Sequence, residues 1–186
     1  MRAAIRVLTG LVLAAAACVP PPPVTALPQA EIEIALDEGR AAEMPLTPPL
    51  TFETLMRIDP HVAAYRLSSL RMLLAQPGHV VLRFYAIDDV GHPGALLTEL
   101  DRVYGPEMTS SGSDGKWVVE HIDVAAVQHA PVFVGLSSPE KHGDPRLWAS
   151  SNNTGEVFQR DADPSVALEH LRIPRTPKLR VTVLPQ

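Results

Sequence analysis

The chain has 186 residues, of which 20% are charged, and a formal net charge of −5 at neutral pH. This mildly acidic balance, without a basic run of the kind that binds phosphates, excludes nucleic acid from the expected partners. The single cysteine, Cys18, excludes an intramolecular disulfide, so the stability of the fold must come from packing.

Residues 1–17 have the three-part pattern of a secretory signal peptide. Arg2 and Arg6 are their only charges, and an apolar stretch of eleven residues from Val7 to Ala17 ends in small residues. A positive start, a short apolar centre and a small-residue end are typical of export signals. As a helix this stretch would span roughly 16 Å, about half of a hydrocarbon core, which is too short for a permanent transmembrane helix. We predict that residues 1–17 direct export and are then removed.

The segment Ala15-Ala16-Ala17-Cys18 resembles the lipobox of bacterial lipoproteins. The resemblance implies cleavage before Cys18, attachment of acyl chains such as palmitate to this residue, and anchoring in the lipid bilayer of the cell envelope. Val19 stands where an Asp would resemble an inner-membrane retention signal, which favours the outer membrane, on its periplasmic or surface face. The family prefers Leu where this chain has Ala15, and ordinary signal-peptide cleavage nearby is the alternative.

A proline-rich tether is predicted at residues 18–29. Pro20 to Pro23 favour polyproline II, which rises about 3.1 Å per residue and is fairly stiff. From Val19 to Leu27 such a segment extends roughly 28 Å. Next to a lipid attachment site we interpret it as a spacer, which leaves residues 30–186 as one folded domain.

The first part of that domain is ambiguous between helix and strand. Glu31 to Ile34 alternates between polar and apolar residues like a strand, although residues 30–44 are rich in helix formers. Gly39 favours a short strand followed by a turn, and Pro45, Pro48 and Pro49 predict an irregular connection.

From Thr51 onward, short apolar runs with period-two alternation are separated by Gly- and Pro-containing turns, which indicates a sandwich or barrel. The predicted strands are Thr51–Ile58, Tyr65–Leu74, His79–Ile87, Ala95–Val103, Lys116–Val124, Val132–Ser137, Arg146–Ala149, Glu156–Gln159 and Lys178–Leu184. One short helix is predicted at Pro164–Leu171, with Asp163 as its cap. The predicted fold class is all-β: a single jelly-roll-like antiparallel β-sandwich.

The succession of strands and turns carries a further resemblance. Tyr65–Leu74 leads into Val80–Tyr85, an acidic Gly-Pro-Gly turn follows at Asp88–Gly94, and Val132–Leu136 contains an aromatic-x-Gly sequence. This order resembles the jelly-roll modules of secreted bacterial proteins, similar to the cleaved-adhesin modules of surface proteases. It implies adhesion or carbohydrate binding, and calcium that stiffens such acidic loops. Gly135 is predicted to mark a bulge or a close packing contact.

Asp88 and Asp89 are the candidate metal ligands. Two carboxylates beside the backbone carbonyls of Val90 and Gly91 could supply hard oxygen ligands to a structural Ca²⁺ ion. The alternative is that both carboxylates are solvated in a hairpin turn.

Trp148, Asn152 and Asn153 form the candidate ligand site. Trp148 precedes a polar loop that contains both asparagines, and an aromatic ring beside amide groups suits a sugar, whose face and hydroxyls they would meet. The alternative is that Trp148 packs in the core and the loop is a connector.

We predict a cell-envelope lipoprotein that displays a non-catalytic binding or interaction module, whose partner is a glycan or an envelope protein. The alternative is a small hydrolase or metal-dependent enzyme with His and Asp side chains assembled from loops. The sequence has seven histidines, but no pair with the spacing of a helical metal site and no Gly-x-Ser-x-Gly nucleophile elbow.

Overall fold

The computed structural model describes residues 30–36, 44–46, 52–111, 115–139, 145–150, 157–161, 169–170 and 176–186. The predicted signal peptide, the lipid attachment site at Cys18 and the proline-rich tether lie outside the described residues. No helix in the described ranges is long and apolar enough to cross a membrane.

The described residues form short and medium strands and a single 3₁₀ turn, Pro106–Met108. The strands are β1 (Ile32–Ala35), β2 (Met44–Leu46), β3 (Phe52–Ile58), β4 (Tyr65–Met72), β5 (Leu74–Gln76), β6 (Gly78–Ile87), β7 (Pro93–Tyr104), β8 (Val118–His121), β9 (Val132–Ser137), β10 (Arg146–Ser150), β11 (Val157–Asp161), β12 (Glu169–His170), β13 (Thr176–Pro177) and β14 (Leu179–Pro185).

Two antiparallel sheets make up the sandwich. The larger sheet has six strands in the order β12-β11-β3-β9-β6-β7, and the smaller has four in the order β1-β14-β4-β8. Neighbouring strands are mostly distant in sequence, so the chain crosses repeatedly from one sheet to the other. A small third sheet is built around β10, which pairs with β2, β5 and β13.

The inward faces of the two large sheets share one apolar core. Period-two alternation places Leu82 and Phe84 of β6 on the inner face, where they meet Leu70 of β4 and Val181 of β14. All four are fully buried. Burial of such side chains stabilises the fold by roughly 1.5–3 kcal/mol each, which explains how the domain holds together without a disulfide.

The first and last described strands lie side by side. β1 pairs with β14 from Ile32 opposite Val183 to Ala35 opposite Arg180. β14 then pairs with β4 on its other side. The four-stranded sheet therefore joins segments from both ends of the domain.

The all-β prediction is confirmed, and most of the predicted strands match β3, β4, β6, β7, β9, β10, β11 and β14 to within a few residues. The alternation at Glu31–Ile34 corresponds to β1. The predicted strand Tyr65–Leu74 instead divides at Leu73: β4 belongs to the four-stranded sheet, whereas β5 pairs with β10. Lys116–Val124 contains a shorter strand than predicted, β8.

Two predictions of non-strand structure are wrong. The connection predicted around Pro45 contains β2, which pairs with β10 at Trp148 opposite Pro45. The end of the predicted helix Pro164–Leu171 is β12, which pairs with β11. The rest of that predicted helix lies outside the described residues. In both places the pairing with a neighbouring strand overrides the local propensity.

Candidate functional site

The outer face of the six-stranded sheet carries a buried carboxylate. Glu53 of β3 is 6% exposed, and one of its oxygens accepts hydrogen bonds from Tyr85 Oη at 3.0 Å and Arg160 Nη2 at 2.7 Å. Arg83 Nη1 lies 3.6 Å from the other oxygen. We call Glu53, Tyr85, Arg83 and Arg160 the Glu53 cluster. It ties strands β3, β6 and β11 together.

Gly135 of β9 makes room for this carboxylate. A Cβ atom placed on Gly135 would overlap the Glu53 carboxylate, so a larger residue could not stand there without moving it. The close packing contact predicted at Gly135 is therefore observed. Glycine is typical of strand positions where another group approaches the backbone closely.

The charges of the Glu53 cluster are balanced by neighbours in the same sheet. Arg83 Nε donates a hydrogen bond to Glu99 at 2.6 Å, and the Arg160 guanidinium lies 4.2 Å from the centre of the Tyr85 ring. Burial, followed by the charge of Glu53, raises the pKa of Tyr85 to about 12. Tyr85 therefore stays neutral and donates its proton to the carboxylate. Two arginines and two glutamates leave no excess charge.

The outer face of the four-stranded sheet carries a second cluster of similar composition. Arg71 of β4 and Arg180 of β14 are cross-strand partners, and each donates from Nη1 to Glu33 of β1, at 2.8 and 3.0 Å. Trp117 lies over both guanidinium groups, with the Cζ atoms 5.2 and 4.6 Å from its ring centre. Contacts of this kind are cation–π interactions. We call Glu33, Arg71, Arg180 and Trp117 the Trp117 cluster.

The carboxylate of the Trp117 cluster is more open to solvent than that of the Glu53 cluster, whereas the arginines of the two clusters are exposed to a similar extent. The side chains of Glu33 and Arg71 are 34% and 35% exposed, and that of Trp117 is half-buried. The polar contacts of Trp117 are the two guanidinium groups, and its indole N–H has no hydrogen-bond partner in the described part of the chain. The Nε atoms of Arg71 and Arg180 are buried and also have none among the described residues.

The electrostatics of this cluster are dominated by its two arginines. Burial raises the pKa of Glu33, while the hydrogen bonds and charges of Arg71 and Arg180 lower it, and the net result is a pKa below the usual value. Glu33 is therefore ionised at neutral pH, and with two guanidinium groups around one carboxylate the cluster carries one excess positive charge. It has the elements of a binding site: a half-buried aromatic ring, an indole N–H without a partner among the described residues, and partly exposed polar side chains.

Trp148, from the predicted ligand site, lies in β10 and is half-buried. Its indole Nε1–H donates to the carbonyl oxygen of Ser110 at 3.0 Å, and its backbone N–H donates to Leu73 at 2.9 Å. Trp148 is thus fixed by one hydrogen bond from its side chain to Ser110 and one from its backbone to Leu73. Asn152 and Asn153 lie outside the described residues, so the site they were predicted to form with Trp148 stays a prediction.

Asp88 and Asp89 lie in the exposed turn between β6 and β7. Asp88 Oδ1 accepts hydrogen bonds from the backbone N–H groups of Val90 at 3.0 Å and His92 at 2.7 Å. Gly91 adopts a φ of 87°, which glycine reaches without strain. One Asp88 oxygen therefore holds the turn in shape. Calcium binding at Asp88 and Asp89 stays a prediction.

Among the described residues, no three His, Cys, Asp or Glu side chains lie close enough together to hold a metal ion. His79 contacts Asp101 across β6 and β7 on the outer face, and His61 lies 3.3 Å from Asp59. Neither contact belongs to a group of three side chains that could hold a metal ion. The alternative of an enzyme with a loop-assembled His and Asp site stays a prediction that no cluster in the described ranges favours.

Neither outer-face cluster is predicted from the sequence. Trp117 lies in the predicted strand Lys116–Val124 and Glu53 in the predicted strand Thr51–Ile58, with no functional role expected for either. A usable indication existed: Arg71 and Arg180 interrupt apolar strands at positions whose neighbours in the sequence are buried. Charged residues at such positions must face outward or find partners.

No family model and no curated protein matches the chain. Among solved structures, the chain is similar to that of the cysteine protease and lectin-like domains of Cwp84, a surface layer associated protein of Clostridium difficile. The TM-score is 0.50 at 9% sequence identity, over 73% of this chain and 32% of the other. The chain thus spans about a third of the length of the chain that it matches, and at this identity the likeness supports the fold alone.

Proposed function

We propose that this protein is a lipid-anchored component of the cell envelope whose β-sandwich binds saccharides without catalysing a reaction. The single observation that carries the proposal is the Trp117 ring, which lies over Arg71 and Arg180 on the outer face of the four-stranded sheet. An aromatic ring on a sheet face is a platform on which the apolar face of a sugar ring packs, while nearby polar groups meet its hydroxyls.

The position of the two arginines supports this role for Trp117. Arg71 and Arg180 are cross-strand partners and share one carboxylate, so both guanidinium groups are held in place against the ring. This arrangement holds the ring in one orientation before any ligand arrives. Preorganisation of this kind reduces the entropy that a ligand loses when it binds.

Trp148 is the second candidate, together with Asn152 and Asn153. Its indole N–H is already bonded to Ser110, whereas that of Trp117 has no partner within the described ranges. A free indole N–H can donate to a sugar hydroxyl, which favours Trp117 over Trp148 as the contact residue.

The similarity to known structures agrees with a binding module at a cell surface. The solved chain that resembles this one includes a lectin-like domain of a surface layer associated protein. The lipobox-like sequence at Ala15 to Cys18 and the proline tether would place such a module outside the cytoplasm, at a distance from the membrane.

The tryptophan content of the chain gives a direct test of the binding site, because Trp117 and Trp148 are its only two tryptophans. In a Trp148→Phe variant, Trp117 is the sole indole fluorophore. We expect this variant to bind the same members of a glycan array as the wild type, and its emission to shift when they are added. Trp117→Phe should lose at least about tenfold in affinity, since stacking on an aromatic ring and a hydrogen bond are both weakened.

The opposite result would place the saccharide site at Trp148 instead of Trp117. If Trp117→Phe binds like the wild type and Trp148→Phe does not, the predicted site at Trp148 is correct and the Trp117 cluster is structural. If the wild type binds no glycan on an array of neutral and acidic saccharides, the proposed function is wrong.

The membrane anchor is tested separately at Cys18. The wild type should be found in the membrane fraction and Cys18→Ala in the soluble fraction, because the lipid would be attached through Cys18 and two or three acyl chains give stable anchoring. A Cys18→Ala protein that still sediments with membranes would contradict lipid anchoring. Labelling with palmitate provides the chemical control.

A further inference from the structure

Among the residues that the structure describes, the Trp117 cluster has more positive charge than its ion-pair partner neutralises. Arg71 and Arg180 share the single carboxylate of Glu33, which leaves one excess positive charge on the outer face of a chain whose formal net charge is −5. The Glu53 cluster, by contrast, balances Arg83 and Arg160 with Glu53 and Glu99. The excess charge is therefore a local property of the four-stranded sheet.

The two guanidinium groups also have hydrogen-bond donors to spare. Each carries five N–H bonds in a planar fork, and Glu33 accepts from only one nitrogen of each. Because the Nε atom of each arginine is buried, the donors left for a ligand are those on the Nη atoms. The side chains of Arg71 and Arg180 are 35% and 26% exposed, so part of each fork faces solvent. Such a fork matches the geometry of a carboxylate or a phosphate.

The outer face around the cluster also has other groups that suit a polar ligand. Ser69 of β4, which is half-buried, lies opposite the exposed His121 of β8, on the same side of the sheet as Arg71. Val119, directly opposite Arg71, is 51% exposed. This part of the sheet therefore offers hydroxyl and imidazole groups next to a small apolar contact.

We propose that the Trp117 cluster selects anionic saccharides, in which a sugar ring packs on Trp117 and a carboxylate or phosphate on the sugar binds Arg71 and Arg180 beside Glu33. This inference rests on the proposed function and names the class of ligand. The ligand's anion takes up the excess positive charge and uses donors that Glu33 leaves unoccupied. The indole N–H of Trp117 adds a donor at the edge of the ring.

The test compares saccharides that differ only in charge. Oligogalacturonate and its methyl ester have the same sugar rings, but the ester has no free carboxylate, and galactose 6-phosphate and galactose form a second pair for phosphate. Binding to the detergent-solubilised full-length protein is measured by calorimetry and by the fluorescence of the Trp148→Phe variant. We expect at least one anionic member to bind about tenfold more tightly than its neutral counterpart, the loss associated with removing a charge-assisted hydrogen bond.

Two variants at the cluster should change this preference in opposite directions. Arg180→Gln removes one guanidinium and should reduce the preference for the anionic saccharide by about tenfold. Glu33→Gln removes the competing carboxylate and should increase affinity for the anionic saccharide relative to its neutral counterpart. An increase in affinity cannot result from a partly unfolded protein, so Glu33→Gln keeps the test valid if Arg180→Gln is unstable. Arg83→Gln on the opposite face is the matched control and should leave the preference unchanged.

The failure of this inference can be told apart from failure of the proposed function. If neutral and anionic saccharides bind equally, or if Glu33→Gln weakens anionic binding, charge selection is wrong while saccharide binding stands. If no saccharide binds but vesicles rich in phosphatidylglycerol do, and Arg180→Gln abolishes that binding, the site takes lipid head groups and both proposals are overturned. If neither saccharides nor vesicles bind, both proposals are wrong.

Discussion

The two outer faces of the sandwich each carry a glutamate between two arginines and next to an aromatic ring, but water reaches them to different extents. On the six-stranded sheet the Glu53 side chain is 8% exposed, and Tyr85 and both arginines satisfy it. On the four-stranded sheet the Glu33 side chain is 34% exposed, and Arg71 and Arg180 each donate to it from one nitrogen. The same residue types therefore form a structural element in one sheet and an accessible surface in the other. The two clusters differ in the burial of their carboxylate rather than in the types of residue that form them.

The largest expected effect comes from removing the buried charge. Glu53→Gln should lower the free energy of unfolding by about 2–3 kcal/mol, less than for fully buried pairs because Arg83 and Arg160 are partly exposed. Urea unfolding at pH 7 measures the difference. A loss below about 0.5 kcal/mol, the usual size for surface positions, would mean that Glu53 contributes no more to stability than an exposed residue does.

A slightly smaller effect is expected where the backbone makes room for the carboxylate. Gly135→Ala should destabilise the domain by about 2 kcal/mol, because the new Cβ overlaps Glu53. In a Glu53→Ala background the same substitution should cost almost nothing, since the overlapping group is gone. Unfolding of the four proteins in a double-mutant cycle measures this coupling, and additive costs would contradict it.

The smallest effect is expected on the exposed face. Glu33→Gln should lower the free energy of unfolding by less than about 1 kcal/mol at pH 7, since exposed ion pairs contribute little. The folded-state pKa of Glu33 is below its usual value of 4.5, so its contribution is present above that pH and is lost as the pH falls through the folded-state pKa. Stabilities of wild type and variant should therefore converge at acidic pH, and a gap that is independent of pH would contradict the ion pair.

The sandwich could be predicted from the sequence because strands such as β6 and β14 carry apolar residues at alternate positions on their inner face. β6 is an example, with Val80, Leu82 and Phe84 on the inner face. The small sheet around β10 could not be predicted, because β2 and β13 have only three and two residues and each contains a proline. Strands of that length have no periodicity, and only their pairing with β10 defines them.

The candidate site was harder to predict than the fold. Glu33, Arg71, Trp117 and Arg180 come from four separate parts of the chain, and only the register of β1, β14 and β4 brings them together. Trp148 is predicted as a contact residue because amide residues follow it in the sequence, but its indole N–H donates a hydrogen bond to the carbonyl oxygen of Ser110. Charged residues on the outer face of predicted strands therefore indicate the position of the site better than residues that follow one another in the sequence.

The pairing of β1 with β14 has a consequence for how the site forms. Loop closure between segments so distant in sequence is slow, and contacts of this kind form late relative to local hairpins such as β6–β7. Because Glu33 and Arg180 sit on these two strands, the ring of Trp117 gains its complete support only when the four-stranded sheet has closed. Ligand binding at Trp117 would therefore report that the whole domain has folded, and a fragment that ends before β14 would have no such site.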